Sequence, residues 1–465
     1  MWEDLKLTGG EQPIYRQLAE AIAERIARGE IAVGDRLPPQ RAFAKALGIN
    51  LTTVTRAFSS LQRSGLVESR SGRGTLVINA ELGGRSSNST FQSSPSEDSG
   101  LIDLTVNRPA TPAYLDALAT LLPRLSRDRR YPSVQDYHPP EGPSWAREAV
   151  AQWLAPIAGG GDPTRLILTE GAQQGLACVL SAIAKPGDLI LSDIVTYQGI
   201  SALCRSLSLE LRGIAMDDGG MNPDALDEAC RAARPRAVIL VPTFHNPTTV
   251  TLSQDRRDAL VAVARRHKTL LIEDDVYGPL LDDRPPSIAT LEPDLTIHIS
   301  GLSKCVAPGL RLGFVAAPRA LAADIAMALR TNCWCVSPLT CLIGTLLIED
   351  GVLSDIIARQ KTELRLRQAI VADQMRDFDI QAADTCTHAW LTLPEPWRVA
   401  AFVQAVHRGG VGVLPADAFT VGRGAAPHAV RINVGAARSR SDLAKALGII
   451  AAVLRSRHQH LPDAI

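Results

Sequence analysis

The sequence predicts an α/β body organised on a mostly parallel sheet, preceded by a small head of helices and one hairpin. Three observations carry this reading. From Arg165 onward, short apolar runs alternate with longer stretches of helical spacing. Residues 1–78 contain, from residue 11, the pattern of a helix, a short helix, a turn, a third helix and a hairpin. Between head and body, residues 79–100 are rich in Ser and Gly and poor in apolar side chains. At 465 residues the chain is also longer than one core usually serves.

Composition narrows the classes open to the chain. A hydrophobic fraction of 46% with 4% aromatic residues is that of a soluble globular protein. The longest apolar runs, such as Leu447–Leu454, fall well short of the roughly 20 residues a spanning helix needs, so no membrane partner is expected. Met1–Lys6 lacks a basic stretch followed by an apolar core, so no signal peptide is expected. The cysteines at 178, 204, 230, 305, 333, 335, 341 and 386 form no Cys-x-x-Cys pair, which suits free thiols in a reducing cytoplasm and argues against a metal site. Formal net charge is zero, but residues 1–80 hold 11 Lys and Arg against 8 Asp and Glu, which leaves 38 against 41 for the rest. The head is therefore the mildly basic part.

In the head, Ile14, Leu18, Ile22 and Ile26 recur every four residues and give a first helix one apolar stripe that Gly29 can end. Gln40–Leu47 forms a second helix, Gly48 a turn, and Asn50 caps a third helix that runs to about Gly65. Val54, Ala57, Phe58 and Leu61 share the inner face of that helix, leaving Thr52, Arg56, Ser59 and Arg63 outside. Polar residues opening the second helix of such a pair suit a DNA major groove. Leu66–Ile78 reads as a hairpin with Arg70 and Arg73 near its tip, placed for phosphate or minor groove. The plainer alternative is a small three-helix domain with ordinary surface arginines. Residues 79–100 read as a flexible tether, since they cannot offset their ordering entropy.

The body, residues 101–465, places suitable chemistry after successive strand-like runs. Arg165–Thr169 leads into Gly171 and a helix start, where the N–H groups of Ala172 and Gln173 could hold phosphate. Asp188–Leu191 leads to Tyr197, a ring able to stack on a planar group or simply to fill a core. Ala237–Val241 leads to Asn246, a donor or just part of an Asn-Pro turn. Thr269–Ile272 leads to Glu273, Asp274, Asp275 and Tyr277, which are either ligands or solvated charges at a strand end. Finally Leu295–Ile299 leads to Ser300-Gly-Leu-Ser-Lys-Cys-Val-Ala-Pro-Gly-Leu-Arg-Leu-Gly-Phe314. A lysine there sits where an open α/β sheet binds ligands, and a desolvated ammonium pairs or gives up its proton. A neutral Lys304 is a nucleophile toward an aldehyde, with Arg311 seven residues on to hold a phosphate.

Ser303-Lys304-x-x-x-Pro-Gly-x-Arg311-x-Gly313 resembles the lysine motif of the fold type I pyridoxal-phosphate (PLP) enzymes, the aminotransferase family. The order Gly-Ala-Gln-Gln, Tyr, Asn-Pro, Asp-Asp-x-Tyr, Ser-Lys is similar to that family across the body. The resemblance implies a small C-terminal domain beside the main sheet. It implies that Lys304 forms the Schiff base, with Ser303, Arg311, Ala172 and Gln173 on the phosphate. Asp274 would serve the pyridine nitrogen, Tyr277 and Asn246 the ring oxygen, and Tyr197 the ring face. Tyr137 resembles the tyrosine that reaches the neighbouring subunit's phosphate, implying a homodimer, and Arg431 the arginine that holds a substrate α-carboxylate.

Residues 11–78 resemble the winged helix-turn-helix of the GntR family through "GDRLPPQRAFAKALGI" and "TTVTRAFSSLQRSGLVESRSGRGTLV". By that resemblance Arg41, Thr53, Arg56 and Arg73 contact DNA, beside Thr52 and Arg70. A GntR-like head tethered to an aminotransferase-like body looks like the MocR subfamily of transcription regulators. That implies binding to a double-stranded DNA operator, PLP as cofactor and a small amino compound, or PLP itself, as effector. The same residues leave open a working aminotransferase acting on an amino acid.

Overall fold

The computed structural model describes residues 14–27, 31, 35–63, 66–70, 74–77, 100–158, 161–422 and 424–456. The chain divides between Ser93 and Ser94 into two compact units. In the first, helices α1 (Ile14–Ala27), α2 (Gln40–Leu47) and α3 (Leu51–Arg63) pack with strands β1 (Arg36–Leu37), β2 (Val67–Arg70) and β3 (Gly74–Val77). The strands form an antiparallel sheet in the order β1-β3-β2. Gly48 ends α2 at φ +64°, a left-handed cap that glycine adopts without strain. Asn50 caps α3 through its side-chain oxygen, which accepts from the Thr52 N–H at 3.0 Å. The core holds Leu18, Ile22, Val54, Ala57 and Leu61, with Phe43 and Phe58 edge to face at 5.5 Å. Ile14, expected on the buried stripe, is 42% exposed. The two-residue β1 had no pattern long enough to read.

The second unit begins with β4 (Ile102–Asp103) and continues through β5 (Leu166–Thr169), β6 (Leu189–Asp193), β7 (Glu210–Ile214), the short pair β8 (Met216–Asp217) and β9 (Gly220–Met221), β10 (Ala237–Leu240), β11 (Leu270–Asp274), β12 (Thr296–Gly301) and β13 (Gly313–Ala316). Seven of these strands make the central sheet, in the order β5-β13-β12-β11-β10-β6-β7. Pairing is parallel from β12 through to β7, whereas β13 runs antiparallel to both β12 and β5. Both faces are buried. Leu166 and Leu168 enter one core and Ile167 the other, as alternation along a strand requires.

A smaller C-terminal part carries β14 (Ile380–Gln381), β15 (Ala389–Thr392), β16 (Val411–Gly412), β17 (Leu414–Pro415) and β18 (Ala429–Ile432). Four of them form a sheet in the order β14-β15-β18-β17, and β16 pairs with β4. Helices Val352–Gln374 and Arg440–Arg455 pack here, so the apolar run Leu447–Leu454 is a core helix face. Among the described residues no helix is long and apolar enough to cross a membrane. All eight cysteines are free, and no cluster of metal-ligating side chains occurs among the described residues.

Candidate functional site

The loops at the C-terminal ends of β5, β6, β10, β11 and β12 enclose a cavity of about 110 Å³. Ala172, Gln173, Tyr197, Asn246, Asp274, Tyr277, Ser303, Lys304 and Arg311 all line it, although they come from five separate connections.

Lys304 follows β12, and its ammonium donates to the Asn107 carbonyl at 2.8 Å. Burial draws its pKa down to about 8; the Arg431 and Arg311 cations push the same way and Asp274 opposes them. Asp274 ends β11. It is 8% exposed and its Oδ1 has no hydrogen-bond partner. Burial raises its pKa to about 7, with Asp275 adding to the effect and Lys304 opposing it. The flanking acids are committed elsewhere. Glu273 accepts from the N–H groups of Ile288 and Ala289 at 2.9 and 3.0 Å and pairs with His298 at 3.1 Å. Asp275 holds Arg284 and the Thr243 hydroxyl, both at 2.8 Å.

Tyr277 is buried, its hydroxyl oxygen accepting from the Asn107 side-chain amide at 2.7 Å, and burial raises its pKa. Tyr197 is likewise pushed up, to about 12, by burial. Its ring lies so close over Gly199 that a Cβ there would stand 2.3 Å from Cε1. Gly171, at φ +83°, opens helix Ala172–Ile183, and the Arg311 guanidinium sits 3.0 Å from where its Cβ would be. Arg311 donates to the Glu170 carbonyl at 2.7 Å. The last glycine of the lysine motif has a steric cause, because a Cβ on Gly313 would meet the Ala172 nitrogen at 2.7 Å. Ser300 donates its hydroxyl to the Asp275 carbonyl at 2.9 Å.

Arg431 is buried, 2% exposed, and its pKa falls to about 10 through burial. It donates to Asn246 Oδ1 at 2.8 Å and to the Thr105 carbonyl, lies over the Phe419 ring at 4.8 Å, and leaves Nε unpartnered. Tyr137 does not join the cavity. It is 81% exposed, with its ring 5.5 Å from that of Trp334. In the head, Arg41, Thr52 and Arg56 are exposed and Thr53 is half-buried. The side chain of Arg70 and all of Arg73 lie outside the described residues, as does the tether, residues 79–99.

Sequence reasoning missed Thr105, Asn107 and His388. Asn107 lies 197 positions before Lys304, and nothing in the mixed stretch Leu101–Pro109 set it apart from its polar neighbours Asp103, Thr105 and Arg108. His388 touches Asn107 at 3.4 Å and Tyr277 ring to ring at 5.6 Å.

The site is chemically matched to PLP. An orphaned buried carboxylate oxygen, an amine with a lowered pKa, a helix start with an adjacent guanidinium and a flanking aromatic ring surround one cavity. A helix-turn-helix head joined to a body with this sheet and this site defines a two-part DNA-binding protein with a cofactor-binding body.

Residues 99–450 match the family "Aminotransferase class I and II", and residues 14–77 match "Bacterial regulatory proteins, gntR family". The chain belongs to the aminotransferase class I and II family, fused to a GntR-type head in the arrangement of the MocR-type transcription regulators. It is 29% identical to the HTH-type transcriptional regulator YdeF of Bacillus subtilis, over 96% of this chain and 95% of that protein. It is 28% identical to the vitamin B6 salvage pathway transcriptional repressor PtsJ of Salmonella typhimurium, over 90% and 93%. The fold is that of the multiple substrate aminotransferase of Thermococcus profundus, with a TM-score of 0.71, 22% identity and coverage of 80% and 97%. The fold family uses PLP, and this chain is a DNA-binding transcription regulator with a PLP-type body.

Proposed function

We propose that the body holds PLP in the cavity at Lys304 and reports the arrival of an amino compound to the head. PLP, when bound, supplies an aldehyde that exchanges between primary amines. Lys304 would hold that carbon, and Asp274 the ring nitrogen. Tyr277 and Asn246 would hold the ring oxygen, and Tyr197 would cover a ring face. The N–H groups of Ala172 and Gln173, with Ser303 and Arg311, would receive the phosphate. Arg431 would take the carboxylate of the incoming compound. Tyr137, exposed and outside the cavity, suits service to the neighbouring subunit of a homodimer. The head would bind operator DNA through Arg41, Thr52, Thr53, Arg56, Arg70 and Arg73, in the cytoplasm.

One observation carries the regulatory reading. The segment that enters the body just after the tether supplies the carbonyls of Thr105 and Asn107 to Arg431 and Lys304, the two groups an amino acid and its cofactor would claim. A ligand therefore changes what holds this segment. The test is operator binding by the full-length protein, measured with PLP alone and with PLP plus a panel of amino acids. A change in affinity without keto-acid release supports regulation. Steady keto-acid release with unaltered DNA binding would replace it with the aminotransferase reading, which the lowered pKa of Lys304 also permits.

A further inference from the structure

Asn107 touches the site three ways. Its carbonyl accepts from Lys304 at 2.8 Å, and its amide nitrogen lies 2.7 Å from the Tyr277 hydroxyl oxygen and 3.4 Å from Nδ1 of His388. The third contact fixes the direction of the second. Nε2 of His388 lies 3.1 Å from the carbonyl oxygen of His245, which can only accept, so Nε2 carries the ring hydrogen. Burial holds the His388 pKa down at about 3, so the ring is neutral and Nδ1 presents a lone pair. The Thr387 hydroxyl at 3.3 Å and the Cys386 thiol at 3.5 Å also approach that lone pair.

Rotating the Asn107 amide by half a turn would set its oxygen against the Nδ1 lone pair. The amide nitrogen therefore faces both His388 and Tyr277, and Oδ1 is left buried without a partner. With Asn107 donating to its oxygen, Tyr277 is free to give its own hydrogen elsewhere. Burial keeps it a protonated phenol, and it lines the cavity.

We propose that Asn107 is a positioning residue of the cofactor site: its amide, oriented by His388, donates to Tyr277 and so turns the Tyr277 hydroxyl hydrogen into the cavity, toward the ring oxygen of the cofactor. This rests on the reading that PLP is held at Lys304 with Tyr277 at its ring oxygen. A hydrogen bond given to that oxygen draws off negative charge. A proton held beside the oxygen is then bound less firmly, and the visible-edge absorbance of the bound cofactor titrates at lower pH. Besides Lys304, the titratable groups facing this relay are Arg431, Asp274, Tyr197, Cys386 and His245. They are unchanged in the variants below, so their influence is common to all.

The experiment is an absorbance titration of full-length, PLP-loaded protein as wild type, Asn107→Ala, Tyr277→Phe and the double variant. Asn107→Ala should keep the band and move its midpoint up by roughly one pH unit, the size expected for one lost hydrogen bond to a charged oxygen. In the Tyr277→Phe background the same substitution should move nothing, because the hydroxyl through which Asn107 acts is gone. Should Asn107→Ala lack the wild-type thermal transition, Asn107→Ser takes its place, keeping the backbone carbonyl and losing the amide. An unshifted midpoint, or an equal shift with and without the Tyr277 hydroxyl, would overturn the role of Asn107. A wild type with no band removable by Lys304→Ala would overturn the cofactor reading itself, and that failure shows in the wild type alone.

Discussion

Capture of PLP by the cofactor-free protein should follow the deprotonation of Lys304, which its surroundings bring down toward neutral pH. An ordinary lysine has its pKa near 10.5, whereas burial first, then Arg431 and Arg311, bring Lys304 to about 8 against the opposing pull of Asp274. At pH 7 the neutral amine is then about one part in ten, rather than roughly three in ten thousand for an unperturbed lysine, a gain of about 300-fold. The assay is growth of the visible-edge band after mixing the cofactor-free protein with PLP, followed from about pH 6 to pH 10. The rate should rise about tenfold per pH unit and bend over near pH 8. Two substitutions set the sign. Arg431→Gln removes a cation that disfavours the ammonium, so the bend should move up. Asp274→Asn removes the anion that favours it, so the bend should move down. A bend near the ordinary lysine value, or one indifferent to both changes, would refute the claim that this cavity prepares the amine.

Three further outcomes follow from the geometry. Arg431→Gln should leave the PLP band in place but weaken the response to amino acids at least tenfold, as loss of a charge-assisted pair implies; the measurement is an absorbance titration with amino acid. Gly313→Ala should lower stability by roughly 1–3 kcal/mol in thermal unfolding, since the added methyl meets the backbone of Gly171 and Ala172 with no flexible side chain to yield. In the head, Arg41→Ala and Arg56→Ala should each weaken operator binding and reduce the slope of log affinity against log salt by about one per phosphate contact removed.

The parts of the fold legible in the sequence are those in which one short stretch carries both the strand and its chemistry. β11 opens on the apolar run Leu270–Ile272 and β12 is buried along its whole length, with Asp274 and Lys304 at or just past their ends, so position along the chain and position at the cavity coincide. The choice among Glu273, Asp274 and Asp275 was also encoded, through alternation. Residues 273 and 275 share one side of the strand and Asp274 takes the other, so the two flanking acids meet His298 and Arg284 while Asp274 faces the cavity. β7 and β13 escaped notice for opposite reasons. β7 is an edge strand whose mixed Glu-Leu-Arg-Gly-Ile pattern lacks a buried run, and β13 follows the lysine motif so closely that it reads as its tail. Asn107 and Thr105 are brought to the site by long-range ties, the pairing of β4 with β16 and the bond from the Asn433 N–H to the Leu104 carbonyl, and no local pattern encodes them.

The same long-range pairing bears on how a ligand could act at a distance. A compound shifts a protein between arrangements only by binding them unequally. At Arg431 that inequality has a structural source. One hydrogen on Nη1 serves Asn246 and one on Nη2 serves the Thr105 carbonyl, while Nε has no partner. A carboxylate arriving at this guanidinium competes with the Thr105 carbonyl for Nη2, and the carbonyl is a neutral acceptor that a charged one outcompetes. Lys304 presents the same exchange with the carbonyl of Asn107 two residues on. Both exchanges loosen the stretch next to the tether, and the typical coupling between linked sites, about 1–3 kcal/mol, is within reach of one or two such exchanges. The sign of the effect on DNA then depends on which arrangement of that stretch the bound head prefers.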